Sequence, residues 1–264
     1  MNMVLEEIVA RRQTDVQNAK RRVSERTLRV QAAQRVHHSL AARLRRRKPP
    51  RIIAETKRRS PSAGLLLADY DPARLAREYA RAGAIAISVL TEPHYFDGSG
   101  EHLKAVRAAV DLPILCKDFV CDAYQLVQAA AWGADVVLLI AAALDPTFCR
   151  TLFQAGVDLG LEVIVEVHDE SELEHALKCP RAIIGVNNRD LRSLKTSLDV
   201  SRRLGTLIPK DRLSIAESGL KSPKDLRALG DFGYDGFLIG ESLLHANRPG
   251  DALEALIRSV RESA

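Results

Sequence analysis

Cysteine is scarce in this chain. The four residues Cys116, Cys121, Cys149 and Cys179 form no Cys-x-x-Cys pair and lie near no histidines at zinc spacing. That argues against a disulfide framework and against a structural zinc, so reduced thiols in a cytoplasmic protein and no metal are expected. No run of apolar residues free of charge is long enough to span a membrane. The N-terminus is charged and helical, with no apolar stretch before a cleavage site, so no signal peptide is expected. Aromatic residues make up only 5% of the chain, and residues 1–48 contain none. A nucleic-acid surface would set aromatics for stacking among its basic side chains. The Arg- and Lys-rich segment to residue 47, stopped by Pro49-Pro50, therefore reads as a solvated amphipathic helix lying against a main domain. No Gly-x-Gly-x-x-Gly follows the first strand-like run, which counts against a doubly wound nucleotide-binding sheet. The net charge of +5 is mild; it suits an anionic substrate without implying nucleic acid.

From Arg51 onward a rhythm is present. Apolar runs of strand length occur at Ile52–Ala54, Ala84–Leu90, Leu112–Cys116, Val136–Ile140, Val163–Val167, Ile183–Val186, Leu213–Ala216 and Phe237–Ile239. Helical patterns separate them, such as Pro72–Ala82, Asp122–Trp132, Asp145–Leu159, Glu170–Lys178, Pro223–Leu229 and Gly250–Val260. Apolar strands alternating with helices predict a parallel sheet covered by helices. Eight units in about 210 residues predict an α/β protein of the closed (β/α)8 type, a TIM barrel, with an N-terminal helical extension. The expected division is an extension over 1–48 packed on a barrel over 49–264. Gly83, Gly133, Gly160 and Gly233 precede strands and read as helix C-caps.

In such a barrel the site lies at the C-terminal ends of the strands. The first run continues into Glu55-Thr56-Lys57-Arg58-Arg59-Ser60-Pro61-Ser62-Ala63-Gly64, where Glu55 and Lys57 share a face. The third ends in Lys117-Asp118, the fifth in Glu166 and His168, and the sixth in Asn187-Asn188-Arg189-Asp190. The seventh ends in Glu217-Ser218-Gly219 and the eighth in Gly240-Glu241-Ser242. Any one of these reads equally as a solvated strand end. Together Glu55, Lys57, Lys117, Glu166, Asn187 and Glu217 converge on one mouth, and such clusters of ionisable groups mark functional sites. The seventh and eighth ends suit a phosphate, because glycine admits an anion close to backbone N–H groups. Lys57 and Ser60 are positioned to complete that cradle.

These stretches, with Ser88-Val-Leu-Thr-Glu92, Leu115-Cys-Lys117-Asp118-Phe119 and Val165-Glu166-Val167-His168, resemble the indole-3-glycerol phosphate synthase family of tryptophan biosynthesis. The resemblance covers essentially the whole chain. It implies a carbon–carbon lyase (a carboxy-lyase) acting on a phosphorylated small molecule, without cofactor, nucleic acid or membrane, and it leaves room for contact with other tryptophan-pathway enzymes. By resemblance Lys117 is the general acid of ring closure and Glu166 the acid/base of dehydration. Lys57 contacts the substrate carboxylate and Glu55 orients the lysines. Asn187, Arg189, Glu217 and Ser60 bind substrate; Lys57, Ser218, Gly219, Gly240 and Glu241 line the phosphate site, Glu241 through its backbone N–H. A lysine in a crowded cationic mouth is expected to have a lowered pKa. The chain departs from the family at Thr56, Ala63, Gly100 and Cys116, where Ile, Lys, an apolar residue and Arg are common. Two other readings stand beside this one. Phosphoribosylanthranilate isomerase shares the scaffold but wants a Cys or similar base at the first strand end. A basic binding protein would work through residues 11–48.

Overall fold

The computed structural model describes residues 3–46, 48–190 and 193–262. Arg47 and Leu191, and the side chain of Val4, lie outside the described residues. After β1 (Ile52–Thr56) comes a small hairpin of β2 (Arg59–Ser60) and β3 (Gly64–Leu65). Then follow β4 (Ala86–Leu90), β5 (Ile114–Lys117), β6 (Val136–Ile140), β7 (Glu162–Val167), β8 (Ile183–Asn187), β9 (Ser214–Glu217) and β10 (Gly236–Ile239). All but the hairpin pair in parallel, and β10 closes on β1 to complete an eight-stranded barrel.

The covering helices are α4 (Pro72–Ala82), α5 (Gly100–Ala109), α6 (Ala123–Trp132), α7 (Pro146–Asp158), α8 (Glu170–Leu177), α9 (Asp199–Gly205), α10 (Pro223–Asp231) and α12 (Pro249–Glu262), with the short α11 (Glu241–Leu244) before the last. Side chains of Asp71, Ser99, Asp122, Asp145, Asp169 and Ser222 accept backbone N–H groups at the starts of six of them, which satisfies donors the helix cannot. The four glycines expected at C-caps all sit at positive φ.

Strand alternation divides the core into two layers. Ile52, Ala54, Val137, Leu139, Val163 and Val165 face outward against the helices. Ile53, Leu115, Leu138, Ile164, Ile215 and Leu238 face inward and fill the barrel.

The N-terminal segment is not one helix. It is α1 (Met3–Arg22), α2 (Glu25–Ala32) and α3 (Leu40–Arg46). Ser24 accepts from Thr27 N and starts a new helix. Further on, His38 N donates to Asp135 and Ala41 N to Glu162, which holds the linker before α3 away from helical geometry. Leu40 and Leu44 of α3 belong to the interior layer and are fully buried. They close the floor of the barrel, each contributing roughly 1.5–3 kcal/mol by leaving water.

Candidate active site

The inward face of the strands changes character along its length. Two residues beyond Ile53, Leu115, Ile164, Ile215 and Leu238 stand Glu55, Lys117, Glu166, Glu217 and Gly240, on the same face by the two-residue period. A cavity of about 540 Å³ opens there. The residues given a catalytic, substrate or phosphate role from the sequence line it: Glu55, Lys57, Ser60, Lys117, Glu166, Asn187, Arg189, Glu217, Ser218, Gly219, Gly240 and Glu241. His168, Asn188 and Asp190, also at the strand ends, do not.

Lys117 is the centre of the charge arrangement. Its Nζ lies 2.8 Å from Glu217 Oε2 and 3.3 Å from Glu166 Oε2. Lys57 Nζ lies 2.5 Å from Glu55 Oε1. The expected lowering of the lysine pKa is wrong for Lys117. Burial does disfavour its charge, but Glu217, Glu166 and Glu55 outweigh burial and hold its pKa well above the ordinary value. The mouth around this lysine is anionic, so Lys117 rests protonated.

The two carboxylates on Lys117 differ from each other. Burial would raise Glu166, yet Lys117, His168 and a hydrogen bond from Asn187 together bring it below the ordinary carboxylate range. Burial pushes Glu217 up to about 7; Lys117 opposes this, and Glu166 and Glu55 add to it. Glu217 Oε1 is buried without a hydrogen-bond partner. One carboxylate is thus held ionised and its neighbour is poised near neutrality, a division suited to acid–base work.

The far side of the cavity is built from backbone. Ser218 and Gly219 are both left-handed, at φ 64° and 75°, and strain of this kind at a non-glycine residue such as Ser218 clusters at functional turns. Asn188 holds this turn by donating to the Glu217 and Ser218 carbonyls. Gly240 precedes α11, and a Cβ there would lie 2.5 Å from Glu55 Oε1, so the glycine also makes room for Glu55. Arg189 donates to Glu241 Oε2 at 3.1 Å and to the Leu194 carbonyl at 3.0 Å. The Glu241 carboxylate is thereby tied to Arg189.

Sequence reasoning gave no role to several contributors. Leu5 and Ile8 of α1 line the cavity, together with Phe96 and Phe119. Asp118 is buried against Arg12 of α1 through two contacts of 2.9 Å and also accepts from Thr91 Oγ1. Asn188 was part of a motif but had no role. The apolar spacing of α1 was visible; its partner, 106 residues away in sequence, was not. Among the described residues no group of three or more His, Cys, Asp or Glu side chains is arranged to hold a metal ion.

A sequence model of the family described as indole-3-glycerol phosphate synthase matches residues 5–256. The chain belongs to the indole-3-glycerol phosphate synthase family. It is 42% identical over 261 residues to the indole-3-glycerol phosphate synthase of Polaromonas naphthalenivorans, covering 97% of this chain and 99% of that one. It is 44% identical over 263 residues to that of Carboxydothermus hydrogenoformans, covering 97% and 100%. Among solved structures it resembles a thiamine phosphate pyrophosphorylase from Pyrococcus furiosus, with TM-score 0.61 and 18% identity over 80% of this chain and 96% of that one. At that identity the likeness concerns the barrel alone.

The surroundings of two positions expected to depart from the family are defined here. A Cβ at Gly100 would run into the Trp132 ring. Cys116 is buried in the outward layer, with its Sγ 3.4 Å from Thr91 Oγ1.

Proposed function

We propose that this chain is an indole-3-glycerol phosphate synthase. It converts 1-(2-carboxyphenylamino)-1-deoxyribulose 5-phosphate to indole-3-glycerol phosphate with loss of CO2 and water. The observation that carries the reading is Lys117 held protonated between Glu166 and Glu217 at the inward strand ends.

The chemistry proceeds in three stages. The aromatic ring attacks the C2 carbonyl, and Lys117 delivers a proton to the developing alkoxide. Its three neighbouring carboxylates keep it loaded. The ring carboxyl then leaves as CO2, and the electron pair of that bond restores the aromatic ring. Finally the hydroxyl at the former C2 departs as water with a delivered proton, pushed out by the anilino electron pair through the ring, and the adjacent C1 methylene gives up a proton, which leaves the indole with its N–H. Glu166, ionised and beside Lys117, takes part in this dehydration. Lys57, oriented by Glu55, contacts the substrate carboxylate; Glu217 meets a substrate hydroxyl through its open oxygen. Asn187, Arg189 and Ser60 complete the substrate contacts. The phosphate sits against Ser218, Gly219, Gly240 and the Glu241 N–H, with Lys57 nearby, and so fixes one end of the substrate and aligns the reacting carbons.

The division into an extension over 1–48 and a barrel over 49–264 is part of this reading, supported by Leu40 and Leu44 in the barrel interior. A cytoplasmic setting and contact with other tryptophan-pathway enzymes rest on the family alone. No helix among the described residues is long and apolar enough to cross a membrane.

The test is indole-chromophore formation from the carboxyphenylamino substrate by wild type and Lys117→Ala. Turnover should fall by about 10²–10⁴ in the variant with the circular dichroism spectrum unchanged. Retained activity would remove Lys117 from its role. No turnover by folded wild type would overturn the function.

A further inference from the structure

His168 directly follows β7 and shares the inward face with Glu166. Its side chain is only 15% exposed. Nδ1 lies 3.1 Å from Glu172 Oε2, which also accepts the His168 backbone N–H at 2.8 Å. Glu172 sits in the first turn of α8, so a helix end fixes it. An ionised carboxylate can only accept, so Nδ1 carries the hydrogen. Nε2 then faces Glu166, 3.5 Å from Oε1, an ion-pair distance beyond hydrogen-bond range. It is buried with no hydrogen-bond partner. The other Glu166 oxygen, Oε2, is the one beside Lys117.

A neutral imidazole in this position would turn a lone pair on an ionised carboxylate, away from water. An imidazolium removes that conflict. The charged groups facing the ring are Glu172 from α8, Glu166 from β7 and Glu217 from β9, with Lys117 of β5 beyond Glu166. Burial opposes the charge on the ring, but these carboxylates raise its pKa above the ordinary value.

We propose that His168 is a positioning residue, an imidazolium anchored on Glu172 that holds Glu166 Oε1 and leaves Oε2 for the reaction. The proposal rests on the reading of Glu166 as the dehydration acid/base. It assigns the two oxygens of that carboxylate separate duties, one to a fixed cation and one to chemistry.

The experiment uses full-length H168A, H168Q, E166Q and E166Q/H168A with the indole-formation assay. An acid/base that loses its positioning contact forfeits part of the about 10²–10⁴ that a placed proton transfer contributes. H168A should therefore lower kcat about tenfold or more, leave KM within about twofold, and move the acid limb of the kcat profile to higher pH. The amide of H168Q should recover part of kcat without restoring that limb. In the E166Q background, H168A should cost nothing further. Carbon-13 titration of the Glu166 carboxyl should shift to higher pH in H168A. Should H168A fail to fold, H168Q carries the pH and titration measurements. An unchanged kcat and acid limb, or an equal loss in the E166Q background, overturns the proposal. Wild-type turnover by E166Q would overturn the role of Glu166 instead. The carboxyl titration still decides the contact then, and an unshifted carboxyl overturns it.

Discussion

Asp135 and Glu217 are both buried to within 1% of complete enclosure, at opposite ends of the same barrel. At the floor, Asp135 accepts from His38 N at 2.8 Å, and from Arg107 Nη1 and Ile114 N at 2.9 Å. Both of its oxygens are occupied by donors belonging to the fold. At the mouth, Glu217 has Lys117 on one oxygen and no hydrogen-bond partner on the other. A buried carboxylate with all its needs met by backbone and a guanidinium is a clasp; here it ties the linker before α3 to β6. A buried carboxylate left with an open oxygen is held for something that is not protein. The strands supply both ends with the same inward period, and what differs is what each end packs against. Leucines of α3 seal the floor; a cavity meets the mouth.

The comparison predicts that changes at the mouth remove chemistry and changes at the floor remove stability. The largest effect is the 10²–10⁴ loss of turnover expected in Lys117→Ala. Asp135→Ala should do the reverse. It takes the carboxylate from Arg107 and leaves the buried Ile114 N–H and the half-buried His38 N–H unpaired, and should cost about 3–5 kcal/mol, read by urea unfolding, while kcat of the folded enzyme stays near wild type. A collapse of kcat in folded D135A would break the division between the two ends. Leu44→Ala, also at the floor, opens a void beneath the barrel and should cost about 2–5 kcal/mol with kcat again preserved.

The smallest effect lies in pH dependence. Glu217 is raised from an ordinary 4.5 to about 7. Between those values the folded chain keeps a proton that the unfolded chain has released. Stability from this group is present below about 4.5 and is lost as pH rises through about 7. Wild type should therefore lose stability relative to Glu217→Gln across that window. Thermal melts at several pH values check it, and a constant difference between the two proteins would show Glu217 to be an ordinary carboxylate.

Much of this was legible in the sequence because barrel strands are short apolar runs, and the polar residue that ends each run announces the mouth. Glu55, Lys117, Glu166 and Glu217 follow from counting two residues beyond an interior Ile or Leu. The break between α1 and α2 was less visible, since Ser24 is one polar residue among many. The path before α3 was invisible, because it depends on Asp135 and Glu162, about a hundred residues further along. The sign of the Lys117 shift was misread for a related reason. Counting basic residues near the strand ends suggested a cationic mouth, whereas the neighbours that matter to Lys117 are carboxylates 49 and 100 residues away in the chain.

By itself the sequence determined the alternation of strand and helix, the inward face of each strand and the residue types at its end. These are local properties, set by a two-residue period and by the turn chemistry between elements. Only the tertiary structure decided which charges meet, which oxygen stays open, and that α1 walls the mouth while α3 seals the floor. Those are questions of distance between residues far apart in sequence, and electrostatic energies turn on that distance and on burial.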